Sequence, residues 1–231
     1  MSLEYDYIIA GGGSAGCVLA SRLANKSKDS ICLVEAGGSG KNLFIKMPAG
    51  NGFIFGNPKF DWGYHSVKQA QLNNRKIYFA RGKGLGGTSI VNGMVYIRGV
   101  AQDYDNWRQM GLDGWGYSDL LPYFKYSEGS TNRQNKFHGN QGPLKVEPAR
   151  NFSVLDEAFI KAAVDTGHEF LDDFNANKRA GVSRIDSTTY RGVRQSSAIS
   201  YLKKVPKNLK IFTNTRVVKI LFNKNLSLIH I

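Results

Sequence analysis

The chain has 231 residues, 42% hydrophobic and 21% charged, enough for one full core or for one domain and part of a second. No run nears the roughly 20 apolar residues of a membrane span. Two cysteines, Cys17 and Cys32, are too few for a disulfide framework and lack metal-ligand spacing, so they read as small buried residues in a reducing compartment, the cytoplasm. The net charge of +13 invites a nucleic-acid or anionic-surface partner, but the basic residues are scattered and their densest cluster (Lys203, Lys204, Lys207, Lys210) is short. With no nucleic-acid motif and no aromatic–basic repeat, the reading is a solvated basic surface and no nucleic-acid partner.

The first element predicted is a short buried strand over Asp6–Ala10, centred on Ile8 and Ile9. The stretch "YIIAGGGSAGCVLA" is not a signal-peptide core, because acids (Glu4, Asp6) precede it and it holds four glycines. From Ser14 to Leu23 the apolar residues Ala15, Val18, Leu19 and Leu23 recur at helical spacing, and "ICLVEAG" is a second buried strand ending in Glu35. Strand, glycine turn, helix and strand make one βαβ unit. Within it Gly11, Gly13 and Gly16 fit G-x-G-x-x-G: the first permits a tight turn, the second lets backbone approach a pyrophosphate, the third lets helix and strand pack closely. Free N–H groups at the helix start and its positive dipole end suit phosphates. Glu35, 19 residues after Gly16, stands where a carboxylate accepts both ribose hydroxyls. NAD and FAD present the same ADP half to such a unit, so the choice between them stays open at this point.

Next comes "RGKGLGGTSIVNGMVYIRG" (Arg81–Gly99), with six glycines in nineteen residues, readable either as a ligand-binding loop or as a plain connection. Beyond it the patterns predict a helix containing "LLPYFKYSE", the strand "GPLKVEP" and a helix from Ser153 to about Thr166 with Asp156 and Glu157 in its first turn. A helix at Ser196–Lys204 and strands at Lys210–Thr213 and Arg216–Phe222 follow, and Leu226, Leu228 and Ile229 suit one more strand.

In "GKGLGGTSIVNGMVYIRGVAQDYD" the chain resembles the glucose–methanol–choline (GMC) oxidoreductases, flavoproteins that oxidise alcohols with FAD. "YDYIIAGGGSAGCVLASRL", "LVEAG", "NPKFDWGY", "YDNWRQMGLDGWGYSDLLPYFKYSE", "FHGNQGPLKVE" and "RQSSAISYL" are similar to family segments in the same order. The likeness covers Tyr5 to Phe222 and is strongest to bacterial choline-dehydrogenase-like members. It implies an α/β fold in which a Rossmann-like FAD-binding domain is interrupted by the start of an α+β substrate domain. The layout expected is residues 1–120 for the FAD-binding domain, with a flavin-covering loop at about 46–75, then 121–190 for the beginning of the substrate domain and 191–231 for the return.

By resemblance, Gly11, Gly13, Ser14, Ala15 and Gly16 hold the pyrophosphate and Glu35 the adenosine ribose. Gly84, Gly87, Asn92, Gly93, Met94 and Val95 lie along the flavin half, Val217 contacts adenine through its backbone, and Trp62 belongs to the segment near the isoalloxazine. Some members carry a histidine at the position of Asn92 and bond it to the flavin. A carboxamide is no such nucleophile, which implies non-covalent FAD. The reaction implied is hydride transfer from the carbon of a small alcohol to flavin N5, assisted by a base that takes the hydroxyl proton. The family's base is a C-terminal histidine with no counterpart here, so no catalytic residue is assigned and the chain is expected to lack the catalytic end. His65, His138, His168 and His230 each read as surface or loop histidines. The alternatives are an NAD-dependent dehydrogenase, which leaves Arg81–Gly99 unexplained, and a non-catalytic FAD-binding domain. The electron acceptor is undefined by the sequence.

Overall fold

Strand β1 (Tyr7–Ala10) pairs in parallel with β2 (Ile31–Val34), in register Tyr7 to Ile31 through Ala10 to Val34. The strand Leu209–Phe212 pairs in parallel on the other side of β2. The order puts β2 in the middle with all four of its residues buried, which is why "ICLV" shows no alternation of apolar and polar side chains. The computed structural model that shows this describes residues 4–150, 153–177, 180–223 and 226–230.

Helix α1 (Ser14–Lys26) joins β1 to β2 and runs one turn beyond the expected end at Leu23. Its buried face is not the apolar set expected from periodicity. Gly16, Cys17, Ala20, Ser21 and Ala24 are buried, whereas Ala15 is exposed and Leu19 is 49% exposed. Small side chains four residues apart let the helix axis sit close to the sheet, and the larger residues turn outward. Ala20 and Ala24 join Ile9, Ile31, Leu33, Leu85 and Leu209 in one core. Cys17 and Cys32 are both buried free thiols, and burial pushes the Cys17 thiol up to about 11.

The chain forms two compact units, one from Met1–Gly93 with Val193–Ile231 and the other from Met94–Gly192. In the first unit, residues 43–62 make short helical turns at Leu43–Lys46, Pro48–Gly50 and Asn51–Ile54 around a second core of Ile45, Ile54, Ile90 and Val91. Asp61, 2% exposed, ties this segment together: its carboxylate accepts from the backbone N–H of Gly56, Gly63 and Arg81 and from the Tyr78 hydroxyl. Burial opposes that charge, but the hydrogen bonds win and hold its pKa at about 2. The helix expected at Ser196–Lys204 is shorter, Ser197–Tyr201, with Ser196 as its N-cap accepting from Ile199 N–H at 3.3 Å. Lys219–Asn223 and Leu226–His230 pair antiparallel through residues such as Ile220 and Ile229.

The second unit carries the helices Ala101–Gln109, Tyr117–Ser127 and Val154–Asp165. Its three-stranded sheet is Glu128–Ser130, Leu144–Pro148 and Asp186–Ser187, parallel and then antiparallel. The helix read from Ser153 starts as expected. Ser153 Oγ accepts from Asp156 N–H at 3.3 Å, and Asp156 accepts in turn from Ser153 N–H at 2.7 Å. Residues 94–120, read as part of the first domain, lie in this unit. Tyr96 N–H donates to Asp186 O at 2.9 Å, and Arg98 N–H donates to Asn175 Oδ1 at 2.9 Å.

One expectation holds only in part: His138 lies in a loop, as read, but not at the surface. His138 is not a surface histidine: it is 4% exposed, with Nδ1 2.7 Å from Glu128 Oε1 and Nε2 2.8 Å from Asp173 Oδ2. Glu128, fully buried, also accepts from Arg98 Nη2 at 2.7 Å. A tripeptide such as "FHG" gives no sign of the two carboxylates that close on the ring from 10 and 35 residues away. Burial opposes the imidazolium, but hydrogen bonds and charge from Asp173 and Glu128 outweigh it and hold its pKa at about 9. The folded pKa is above the unfolded value of about 6.5. Its stabilisation is therefore complete below pH about 6.5 and lost as pH rises through about 9. Circular-dichroism melts between pH 6 and 10 should show this loss. His138→Gln should flatten that alkaline slope and cost about 3–5 kcal/mol at neutral pH, because it leaves two carboxylates short of a buried partner.

Candidate dinucleotide-binding site

The site is built where β1, β2 and the strand Leu209–Phe212 end. At the β1 end Gly11 takes φ +98°, a conformation that side chains rarely adopt, and turns the chain into α1. A Cβ on Gly16 would lie 1.9 Å from Gly11 O, so the third glycine of the motif is required by packing. Gly13, the N-cap of α1, is different: a Cβ there would meet nothing within 4 Å. The helix start has no side-chain cap, so its first N–H groups open toward whatever occupies that space.

Glu35 closes the turn. It is 6% exposed, and its two oxygens accept from Gly12 N–H at 2.8 Å and Gly37 N–H at 2.7 Å. The carboxylate read as a ribose ligand is thus also the brace of the glycine turn. Each oxygen has a second lone pair, so bracing leaves acceptor capacity. Thr215 N–H donates to Glu35 O, and Asn214 N–H to Gly37 O, which seats residues 214–217 beside the acid.

The second glycine stretch packs onto the first. Gly86 N–H donates to Gly12 O at 2.7 Å, and Leu85 N–H to Gly38 O at 2.9 Å. A Cβ on Gly87 would lie 2.7 Å from Gly13 Cα. Gly84, Gly86 and Gly87 all have positive φ, at +150°, +104° and +53°.

Between these parts runs a cleft of about 470 Å³. It is lined by Gly11, Gly13, Glu35, Trp62, Gly87 and Val217 among the residues singled out from the sequence. Ser14, Ala15 and Gly16 form the first turn of α1 beside it. Gly84 lies apart, bridged to Gly38, and Asn92 and Gly93 follow the helical turn Gly87–Ile90 in the same unit. Met94 and Val95 belong to the other compact unit, where Met94 O accepts from Thr188 N–H and Val95 pairs with Ser187.

Two arginines escaped the sequence reading. Arg216 lines the cleft, with its guanidinium 5.9 Å from the centre of the Trp62 ring, and Lys83 Nζ is 5.2 Å from the same ring. Its place next to Val217 in "NTRVVK" was the available signal. Arg194, in "RQSSA", is fully buried and hydrogen-bonded to carbonyl oxygens, and burial lowers its pKa to about 10. Of the histidines, His65 and His168 are exposed, the His230 side chain is outside the described residues, and among the described residues no histidine lines the cleft.

The parallel strands, the glycine turn into an uncapped helix and the acid at the end of β2 define a Rossmann-like α/β domain with a dinucleotide cradle. Residues 5–228 match the family described as GMC oxidoreductase, and the chain belongs to that family. It is 44% identical over 201 residues to the oxygen-dependent choline dehydrogenase of Sinorhizobium fredii (strain NBRC 101917 / NGR234), covering 87% of this chain and 37% of that one. To the oxygen-dependent choline dehydrogenase of Vibrio vulnificus (strain YJ016) it is 38% identical over 228 residues, covering 97% and 41%. The crystal structure of pyridoxine 4-oxidase from Mesorbium loti superposes with a TM-score of 0.91 at 34% identity, over 96% of this chain and 44% of that one. The chain thus spans about two-fifths of the length of these relatives.

The two glycines separate folding from binding. Gly16→Ala should destabilise the chain by about 1–3 kcal/mol or more through the clash with Gly11 O. Gly13→Val, projecting into open cleft, should cost about 1 kcal/mol or less yet fill the space a pyrophosphate needs. Thermal melts of the unliganded variants check the order.

Proposed function

We propose that this chain is the FAD-binding part of an oxidoreductase that acts on the CH–OH group of a small alcohol. The observation that carries the reading is the backbone-on-backbone contact of two glycine stretches over an uncapped helix start, with Glu35 at its side. A nicotinamide enzyme needs the first stretch but gives the second no reason to be bare.

The unliganded geometry fits the cofactor. N–H groups at the start of α1 bind the pyrophosphate, and the bareness of Gly13 lets it come close. Glu35 accepts from ribose hydroxyls while bracing Gly12 and Gly37. Val217 offers backbone to adenine, Trp62, Gly87 and Arg216 bound the cleft, and the family resemblance gives Gly84, Asn92 and Gly93 to the flavin half. FAD, when bound, supplies the acceptor for the hydride of the alcohol. Asn92 offers no nucleophile, so the cofactor is held without a covalent bond. The unit Met1–Gly93 with Val193–Ile231 holds FAD, and Met94–Gly192 belongs to the substrate-binding part.

A choline-like alcohol is supported by the names of the relatives at 44% and 38% identity, and an aromatic alcohol by that of pyridoxine 4-oxidase. Among the described residues no helix is long and apolar enough to cross a membrane. The two free buried thiols suit a reducing cytoplasm.

The protein purified or reconstituted with FAD should show flavin absorption, and acid precipitation should release all of the flavin to the supernatant. Gly13→Val should take up none. An FAD-free protein after reconstitution, or thermal protection by NAD in preference to FAD, would overturn the reading. Flavin retained on the precipitate would overturn the non-covalent mode alone.

A further inference from the structure

A second cavity, of about 380 Å³, lies in the first unit beside the loop that follows Glu35. It shares only Ala36 with the dinucleotide cleft: Asn214 lines the cavity, whereas Thr215, Arg216 and Val217 line the cleft. Lys41, Lys59 and Lys83 line the cavity, and no Asp or Glu does. Lys83 Nζ donates to Pro58 O at 3.3 Å, and Lys59 Nζ lies 5.6 Å from the centre of the Phe60 ring, another part of the wall. Among the described residues no carboxylate pairs with any of the three lysines. The acids nearest in the chain are already committed, Glu35 to the N–H groups of Gly12 and Gly37, Asp61 to those of Gly56, Gly63 and Arg81. Three ammonium groups thus share one concavity with no counter-charge, which favours an anion among them.

The backbone of the same wall agrees. The N–H groups of Ser39, Gly40 and Lys41 donate to no acceptor among the described residues, although the loop around them is held in place. Gly37 O accepts from Asn214 N–H at 2.8 Å, Gly38 O accepts from Leu85 N–H at 2.9 Å, and Lys83 N–H donates to Phe60 O at 2.8 Å. Gly40 has φ +67°, and a Cβ there would lie 2.4 Å from Leu85 O, so only glycine lets the loop turn this close to its neighbour. Successive free N–H groups at a cationic concavity are an anion-binding arrangement. Lysine ammoniums suit phosphate as point charges, whereas planar carboxylates are better matched by the arginine fork. The volume is that of a small-molecule pocket.

We propose that this cavity binds the phosphoryl group of a small phosphate ester, at a site separate from the dinucleotide cleft. Lys41, Lys59 and Lys83 supply the charge, and the Ser39–Lys41 backbone supplies the hydrogen bonds. A merely basic surface, of the kind a net charge of +13 gives, would attract anions without holding them at one place. The site does not rest on the FAD reading.

The test titrates the full chain, first free of FAD and then loaded with it, at constant ionic strength. The probes are inorganic phosphate and glycerol 3-phosphate, followed by amide NMR signals. The expected result is one saturable site in both forms. The Ser39, Gly40 and Lys41 amides should move most, and the ester should bind at least as tightly as the ion. Lys41→Gln with Lys59→Gln, both at exposed positions, should weaken binding about tenfold. Lys203→Gln with Lys204→Gln removes the same charge elsewhere on the exposed surface and should leave binding unchanged. Equal weakening in the two double variants, or shifts spread over the basic surface, would overturn the site in favour of generic attraction. Binding lost on loading with FAD would give the cavity to the cofactor and overturn its separateness. Binding of phosphate without the ester would overturn the ligand class. If the chain takes up no FAD, the flavin reading falls alone, and the FAD-free titration still decides the site.

Discussion

The first unit depends on two stretches of polypeptide lying closer together than side chains permit. Gly12 and Gly13 face Gly86 and Gly87 with a hydrogen bond at 2.7 Å, and a methyl group on Gly87 would lie 2.7 Å from Gly13 Cα. Glycine in ordered backbone loses more conformational freedom than any other residue. That cost is met here because the contact builds a cradle of backbone dipoles, which side chains would have covered. Glu35 makes the arrangement durable by accepting from Gly12 and Gly37 at once. A single carboxylate ties both sides of the turn, so the acid beside the site and the acid that shapes it are the same residue.

Elsewhere the chain solves one electrostatic problem in two ways. In the second unit Arg98 and His138 meet Glu128 and Asp173, so buried positive and negative groups neutralise one another. In the first unit Arg194 is surrounded by carbonyl oxygens from backbone and amide side chains. The ionic cluster responds to pH, because protonation of the imidazole is part of it. The carbonyl cage holds a charge that stays constant at neutral pH. Asp61 is a third variant, an anion held by backbone N–H groups and a tyrosine hydroxyl. The net charge of +13 therefore says little about the interior, where each ion is answered locally.

What the sequence by itself determined is local and repetitive in its signal. β1, α1 and β2 were legible because strand and helix periodicities meet at a glycine turn, and the helix from Ser153 because its cap and first-turn acid are adjacent. Gly11, Gly13, Glu35, Trp62, Gly87 and Val217 were all named from motif or resemblance, and all line one cleft. Tertiary structure alone decided the rest. The buried face of α1 follows the closeness of the sheet, which selects Gly16, Ala20 and Ala24 over Leu19. The burial of His138 depends on Glu128 and Asp173, and that of Arg194 on Asn51 and Asn92, 143 and 102 residues away. Periodicity reports the neighbours of a residue along one helix or strand. The cost of burying a charge is set by partners that only the folded chain brings within 3 Å of it.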